Sequence, residues 1–237
     1  MKLNKKVTLG ASALVLGATL LGGTMAWLIS EETVVNKFST KSWDLDVEID
    51  EKFDEDGAQN LLPGAEIQKE GWVTNTKDLP VLVRVHIEEV WGNERVLLPT
   101  TEGVMGEVQR DDKLTQAAID NKVALIDTAL KQEDFGKLDY TSENWELIGD
   151  YYYYKKVLNP GETTDLVISD VTINPDLELP EALQFSNKFF DINLTAQAVQ
   201  IENYAYQSAW DIAEADQTAV DTLVADALAN YQSSQEN

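Results

Sequence analysis

The sequence predicts a mainly β protein, built as an antiparallel β-sandwich of short strands separated by tight turns. Three stretches alternate apolar and polar residues with a period of two, which puts the apolar side chains on one face of a strand. Turn sequences rich in Pro, Gly, Asn and Asp lie between strand-like stretches. The alternating stretches are 43–50, 81–88 and 190–198, and the turns are 62–65, 75–78 and 159–162. Short strands separated by such turns are typical of antiparallel sandwiches.

The stretch 43–50 has the clearest alternation, with an apolar residue at every odd position and an acid at every even one. We expect a half-buried strand there, and strands with one solvated side at 81–88 and 190–198. The run from Tyr151 to Leu158 predicts a further strand. Aromatic residues suit a pleated surface, so its four tyrosines are interpreted as sheet packing in preference to a glycan-stacking surface.

Two segments have a helical pattern. Between Lys113 and Lys131, apolar residues recur at helical spacing, which predicts a helical insertion near 110–135. Near the end of the chain, an apolar stripe predicts a short amphipathic helix, with Thr218 and Asp221 resembling a capping box. No Lys or Arg follows Lys188, so we expect the stripe to pack on its own sheet or on a neighbouring subunit instead of an anionic membrane.

The N-terminus has the layout of a secretory signal peptide. Three lysines precede an uncharged stretch from Val7 to Ser30, and the small residues Thr24 and Ala26 lie near its end. We expect cleavage between Ala26 and Trp27, which predicts a secreted protein of the extracellular matrix or cell surface. The alternative is an uncleaved anchor, since the uncharged stretch is long enough to span a bilayer.

The composition restricts the partners and the domain organisation. The predicted signal contains three of the 18 basic residues and none of the 42 acidic ones, so the remaining chain carries a formal net charge of −27. Such a charge repels nucleic acid and anionic lipid. The expected organisation is a signal peptide (1–26), an N-terminal strand segment (27–40), a sandwich domain (41–202) and an Ala-rich, acidic, helical C-terminal segment (203–237).

No catalytic motif is found in the sequence. There is no cysteine, and His86 is the only histidine, so a zinc site would have to depend on His86 with a neighbour such as Glu88. Asp54, Glu55 and Asp56 resemble part of a calcium loop, but an EF-hand frame through them ends on Pro63 instead of Glu. We therefore predict a protein that is not an enzyme, with no metal or cofactor site; a weak surface calcium site at 54–56 stays open.

Several motifs together resemble a known family. The chain is similar to the TasA/camelysin family, and within it to the BsaA-type branch of exported biofilm matrix proteins of Gram-positive bacteria. The motifs are Gly23-Thr24-Met25-Ala26-Trp27, Glu31 to Phe38, Trp43 to Asp50, Leu62-Pro63-Gly64, Val73 to Thr76, Leu79 to Val85 and Asp150 to Gly161. Together they extend over most of residues 1–200.

The resemblance implies a jelly-roll fold with helical insertions, a signal peptidase of the SipW type, and self-assembly into extracellular fibres, with other matrix proteins as further partners. Fibres of this family resemble donor-strand polymers, in which one subunit's N-terminal strand completes the next subunit's sheet. We therefore predict a donor strand whose anchors are Trp27, Leu28, Val34, Val35 and Phe38. In the alternative, this segment pairs within its own sandwich.

Two other functions stay open. Camelysin itself is described as a metalloprotease, so a secreted camelysin-like metalloprotease is one alternative. A monomeric surface adhesin that uses the tyrosine-rich strand is the other.

Overall fold

The fold is known from a computed structural model, which describes residues 29–34, 47–54, 58, 61–95, 106–130 and 142–236. The strands in these ranges are β1 (Ile29–Val34), β2 (Val47–Phe53), β3 (Glu66–Asn75), β4 (Val81–Arg95), β5 (Val108–Arg110), β6 (Ala124–Thr128), β7 (Trp145–Ile148), β8 (Tyr151–Tyr154), β9 (Ile168–Ile173) and β10 (Phe189–Gln200). The α-helices are α1 (Asp112–Asp120), α2 (Leu179–Gln184), α3 (Ala205–Ala209) and α4 (Gln217–Gln235). A 3₁₀ turn at Glu202–Tyr204 precedes α3.

The strands form two sheets in which the strand pairings are antiparallel. One sheet has the order β1-β10-β4-β8-β7, with β5 pairing the end of β4, and the other has the order β2-β3-β9-β6. We call them the six-stranded and the four-stranded sheet. The predicted mainly β, antiparallel fold is confirmed, and the arrangement is consistent with a jelly roll.

The inner core lies where the two sheets pack face to face. It contains the odd-numbered apolar residues that the alternation of β4 predicted, together with alternate residues of β10. Val47 and Ile49 of β2 are also buried there, which agrees with the half-buried strand expected at 43–50; residues 43–46 lie outside the described ranges. Burial of apolar surface between sheets is the main stabilising contribution in such folds.

A second core lies on the outer face of the six-stranded sheet, where the C-terminal segment packs. Leu82 and Arg84 of β4 are each only 2% exposed there. The expectation of a solvated side on this strand is therefore wrong for its first half. Residues from α3 and α4, including Tyr206 and Val224, cover that face. The alternation within β4 could not predict this, because these helices lie more than a hundred residues later in the chain.

The predicted insertion near 110–135 is only partly helical. α1 begins after Asp111, whose carboxylate accepts the backbone N–H groups of Lys113 (3.0 Å) and Leu114 (3.1 Å). The helix ends before Lys122, which has a φ of 49°. The residues after Lys122 form β6, at the edge of the four-stranded sheet, so the expectation of a helix there is wrong.

The C-terminal stripe forms α4, and its prediction as an amphipathic helix on the protein's own sheet is confirmed. Val220, Leu223, Val224 and Ala227 are buried. The capping box is wrong, because the N-cap of the helix is Asp216, two residues before Thr218. Asp221 instead accepts the hydroxyl of Tyr206 at 2.7 Å.

Tight turns form where the sequence predicts them at 62–65 and 159–162. Each has a backbone bond across it, 2.9 Å from Ala65 N to Leu62 O in one and 3.0 Å from Glu162 N to Asn159 O in the other. Gly64 has a φ of 86°, a conformation that favours glycine. Within the described ranges, the helices are too short or too polar to cross a membrane.

Candidate assembly edge and interior charges

The first strand lies at the edge of the six-stranded sheet. β1 is antiparallel to β10, and the register runs from Ile29 opposite Val199 to Val34 opposite Leu194. All six residues of β1 take part in this ladder. An edge strand attached through one neighbour is the kind of element that can be exchanged between copies of a chain.

The structure places only part of the predicted donor segment. Val34 is the last residue of β1 and pairs with β10 of the same chain. The other predicted site residues lie outside the described ranges: Ala26, Trp27, Leu28, Val35 and Phe38. In this structure of a single chain, the described part of the segment pairs within its own sandwich. This is the alternative to donation of the strand to a second subunit.

Lys69 is an unusual residue of the sandwich interior. It lies on the inward-facing side of β3 and is 1% exposed. Its amine donates to the carboxylate of Glu51 on β2 at 2.6 Å and lies 5.3 Å from the centre of the Phe53 ring. Burial lowers the pKa of Lys69, while Glu51 opposes this shift. The carboxylate of Glu51 therefore compensates the charge of a lysine that is buried in the interior.

A second ion pair connects β10 to the far end of β4. The guanidinium of Arg95 donates to Asp191 at 2.7 Å and to the Phe190 carbonyl at 2.9 Å. The other carboxylate oxygen of Asp191 accepts the backbone N–H of Val108 at 2.7 Å. Asp191 is 2% exposed, so this network joins β4, β5 and β10 in a mostly dry environment.

The residues considered for a metal site do not come together as one. His86 packs against Tyr151, with ring centres 5.4 Å apart, and Glu88 forms an ion pair with Arg110. No group of three or more potential metal ligands occurs among the described residues. Of the candidate calcium loop, Asp54 is described, and residues 55 and 56 lie outside the described ranges.

The tyrosine-rich strand is divided between the two cores. Tyr154 packs with Trp145 in the inner core, while Tyr153 packs with Trp210 in the outer one. Tyr151 and Tyr152 are half-buried. This placement agrees with the sheet-packing interpretation of the four tyrosines.

Sequence reasoning missed the interior charges. Lys69 has a weak signal, since it lies in phase with Ile67 and Val73 on a period-two pattern and so falls on the apolar face. Arg95 and Asp191 have no such signal, because the two partners are 96 residues apart in the chain.

The geometry defines a class of protein: a two-sheet antiparallel β protein with an edge strand near its N-terminus and a helical C-terminal cover. Residues 2–91 match the family model described as camelysin metallo-endopeptidase. The match supports the resemblance to the TasA/camelysin family over this part of the chain, while the BsaA-type branch remains a prediction. Neither a curated protein nor a solved structure matches the chain.

Proposed function

We propose that the protein is a secreted structural subunit, without enzymatic activity, that polymerises into extracellular biofilm matrix fibres by exchange of its N-terminal strand. The match of residues 2–91 to the camelysin family model supports an exported matrix protein of the TasA/camelysin kind. The observation that carries the proposal is the position of β1, which lies at a sheet edge and pairs with β10 over its whole length.

Strand exchange would preserve the ladder that the single chain contains. The β10 stretch Leu194–Val199 accepts β1 along six register pairs, and the same stretch can accept β1 of a second copy in the same register. Each copy then gives its strand to one neighbour and receives a strand from another. Such head-to-tail contacts do not close on themselves, and so they produce filaments.

Export explains how the strand becomes available. The segment ending in β1 directly follows the predicted signal, so removal of residues 1–26 by a peptidase of the SipW type frees it from the membrane. The strongly acidic surface keeps the released subunit soluble until exchange begins.

A disulfide between β1 and β10 tests the exchange directly. Thr33 lies opposite Thr195 in the register, and the chain has no native cysteine, so a Thr33→Cys/Thr195→Cys variant forms the only possible bridge. Fibres are assembled under reducing conditions, oxidised, and run on a denaturing gel without reductant. Strand exchange predicts a series of gel bands from covalently linked dimers, trimers and larger multimers.

A matched variant controls for random oxidation. Lys52→Cys/Glu70→Cys introduces cysteines at opposite positions of β2 and β3, within the body of one subunit, and should give monomers only. If oxidised fibres of the Thr33/Thr195 variant likewise separate into monomers with an internal disulfide, β1 has stayed in its own sheet, and strand exchange is contradicted. Deletion of residues 27–38 should abolish polymerisation and leave a folded monomer, and fibres formed by that truncation would equally contradict the proposal.

A second candidate function is a camelysin-like secreted metallo-endopeptidase, which the description of the matching family favours. It predicts proteolysis by the purified protein that a chelator abolishes and that His86→Ala removes. Proteolysis that persists in His86→Ala would exclude His86 as a zinc ligand. If the protein cleaves no peptide substrate even with added zinc, the metallo-endopeptidase function is excluded and the structural role remains.

A further inference from the structure

A cavity of about 630 Å³ opens at one end of the sandwich, between the two sheets. Ile67 of β3, Val171 of β9 and Ile192 of β10 contribute to its interior, and α2 with the following turn lies at its side. The volume falls within the range of ordinary small-molecule sites, and most of the lining is apolar. The described part of the chain therefore has an interior that an apolar molecule can enter.

The mouth of the cavity exposes apolar side chains to solvent. Leu62 is 71% exposed, Leu183 is 70% exposed and Phe189 is 39% exposed, and all three line the cavity. Clustered exposed apolar residues mark interaction sites more often than isolated ones do. An occupant that continues from the interior to the mouth would cover this surface.

The charge of the lining is opposite to that of the protein. The chain has 42 acidic and 18 basic residues, yet the cavity is lined by Lys69, Arg95 and Lys188 and by no Asp or Glu among the described residues. The first two cations are already paired, with Glu51 and Asp191. Lys188 donates to the neutral side-chain carbonyl of Asn93 at 2.6 Å, so this amine is placed to bind an incoming anion.

We propose that the cavity binds a single-chain fatty acid, with the acyl chain between the sheets and the carboxylate at the mouth on Lys188. The apolar lining accepts the hydrocarbon, the exposed leucines cover its last methylenes, and the ammonium of Lys188 compensates the carboxylate. This site is separate from the β1 edge, so the proposal does not depend on polymerisation.

The test uses the protein purified from the culture medium, with its N-terminus determined by mass spectrometry so that no signal segment contributes to binding. Titration of cis-parinaric acid, followed by its fluorescence, should show one saturable site that palmitate competes for. Hexadecanol has the same chain without the charge, and it should compete about tenfold less well, since a charge-assisted hydrogen bond is lost.

Two variants address the two halves of the site. Ala182→Trp places an indole in the lining and should abolish binding, and Lys188→Glu should weaken it about tenfold or more by putting like charges together. Leu183→Asp provides a second variant at the mouth in case Ala182→Trp fails to fold, as judged by circular dichroism. Leu147→Asp and Lys113→Glu are the matched controls, because Leu147 is also exposed (45%) and neither residue lines the cavity.

Three results would overturn the proposal. One is the absence of saturable binding in the folded protein. Another is equal loss of binding in Leu147→Asp and Leu183→Asp, which would indicate adsorption to exposed apolar surface. The third is tighter binding of a lysophospholipid than of palmitate, which would show that the head group is a phosphate and not a carboxylate.

Discussion

The two faces of the six-stranded sheet accommodate buried charge in different ways. On the inner face, Glu89 accepts a hydrogen bond from the indole N–H of Trp91, and burial raises the pKa of its carboxyl to about 7. On the outer face, Arg84 donates to Gln197 at 2.8 Å and to the hydroxyl of Tyr153 at 3.1 Å. Its guanidinium also lies 3.8 Å from the centre of the Tyr151 ring.

The difference follows from the chemistry of the two groups. A carboxyl can become neutral by retaining a proton when it is buried, so it needs no opposite charge beside it. A guanidinium keeps its proton in proteins, so it must be surrounded by acceptors and ring faces. The inner face is thus sensitive to pH, whereas the outer face depends on the C-terminal segment that completes the surroundings of Arg84.

The largest expected effect comes from opening the outer face. Val224 of α4 is 2% exposed, and Val224→Asp places a carboxylate in the outer core without a partner. We expect a loss of about 3 to 5 kcal/mol in the free energy of unfolding, measured by urea denaturation. Ala225→Asp, at the adjacent exposed position, should change it by less than about 0.5 kcal/mol. Equal losses would mean that α4 does not pack through this stripe.

The next effect is a pH dependence on the inner face. Because the folded-state pKa of Glu89 is raised from 4.5 to about 7, its neutral form favours folding below pH 4.5, and this contribution is lost as the pH rises through 7. As the pH rises from 5 to 8, the free energy of unfolding of Glu89→Gln should therefore increase by about 2 to 3 kcal/mol relative to that of the parent protein. If the free energies of unfolding of the two proteins change equally between pH 5 and pH 8, Glu89 is already ionised in the folded protein at pH 5, which would contradict the prediction.

Removing the buried cation of the outer face should have a smaller effect. Arg84→Met retains much of the side-chain volume but removes the hydrogen bonds that Arg84 donates to the hydroxyl of Tyr153 and to the side-chain carbonyl of Gln197. We expect a loss of about 1 to 3 kcal/mol in thermal or urea unfolding. Arg110→Met is the matched control, because Arg110 is 47% exposed and its surface ion pairs contribute little.

The smallest effect concerns the contact between Gly149 and the beginning of α4. A Cβ at Gly149 would overlap the carboxylate of Asp216, and the residue has a φ of 59°. Gly161 has a φ of 77°, and a Cβ added there would meet no atom within 4 Å, so Gly161→Ala measures the backbone strain alone. Because the overlapping Asp216 oxygen is the end of a flexible side chain, Gly149→Ala should cost only about 0.5 kcal/mol more than Gly161→Ala in urea denaturation, and an excess above about 2 kcal/mol would show that Asp216 is held in place.

The inner core was predictable from the sequence, and the outer core was not. Alternation identified Val83, Val85, Ile192 and Leu194 because neighbouring residues on a strand share a simple period. The same rule assigned Arg84 to solvent, because the segment that covers it is remote in sequence.

The error at 123–128 has a different origin. Val123 and Ile126 continue the helical spacing of α1, but the left-handed conformation at Lys122 ends the helix, and pairing with β9 then forms β6. Tertiary pairing overrides a local period when the segment is short.

For the candidate site, the sequence identified the N-terminal segment as a strand from its resemblance and composition. Its partner on β10 lies about 160 residues away, and no local pattern records that register. The cavity and its cations likewise depend on residues from β3, β4, β10 and α2, which only the fold brings together.

The ladder between β1 and β10 has a thermodynamic consequence for a polymer. In the proposed strand exchange, each intrachain ladder would be replaced by an identical interchain one, so the ladder itself would contribute no free energy that favours the filament over the monomer. Growth must then be driven by contacts between subunit bodies, and its rate is limited by withdrawal of six paired residues from their own sheet. A monomer can therefore persist in solution long after the filament has become the more stable state, until a subunit with an already vacant β10 edge acts as a seed.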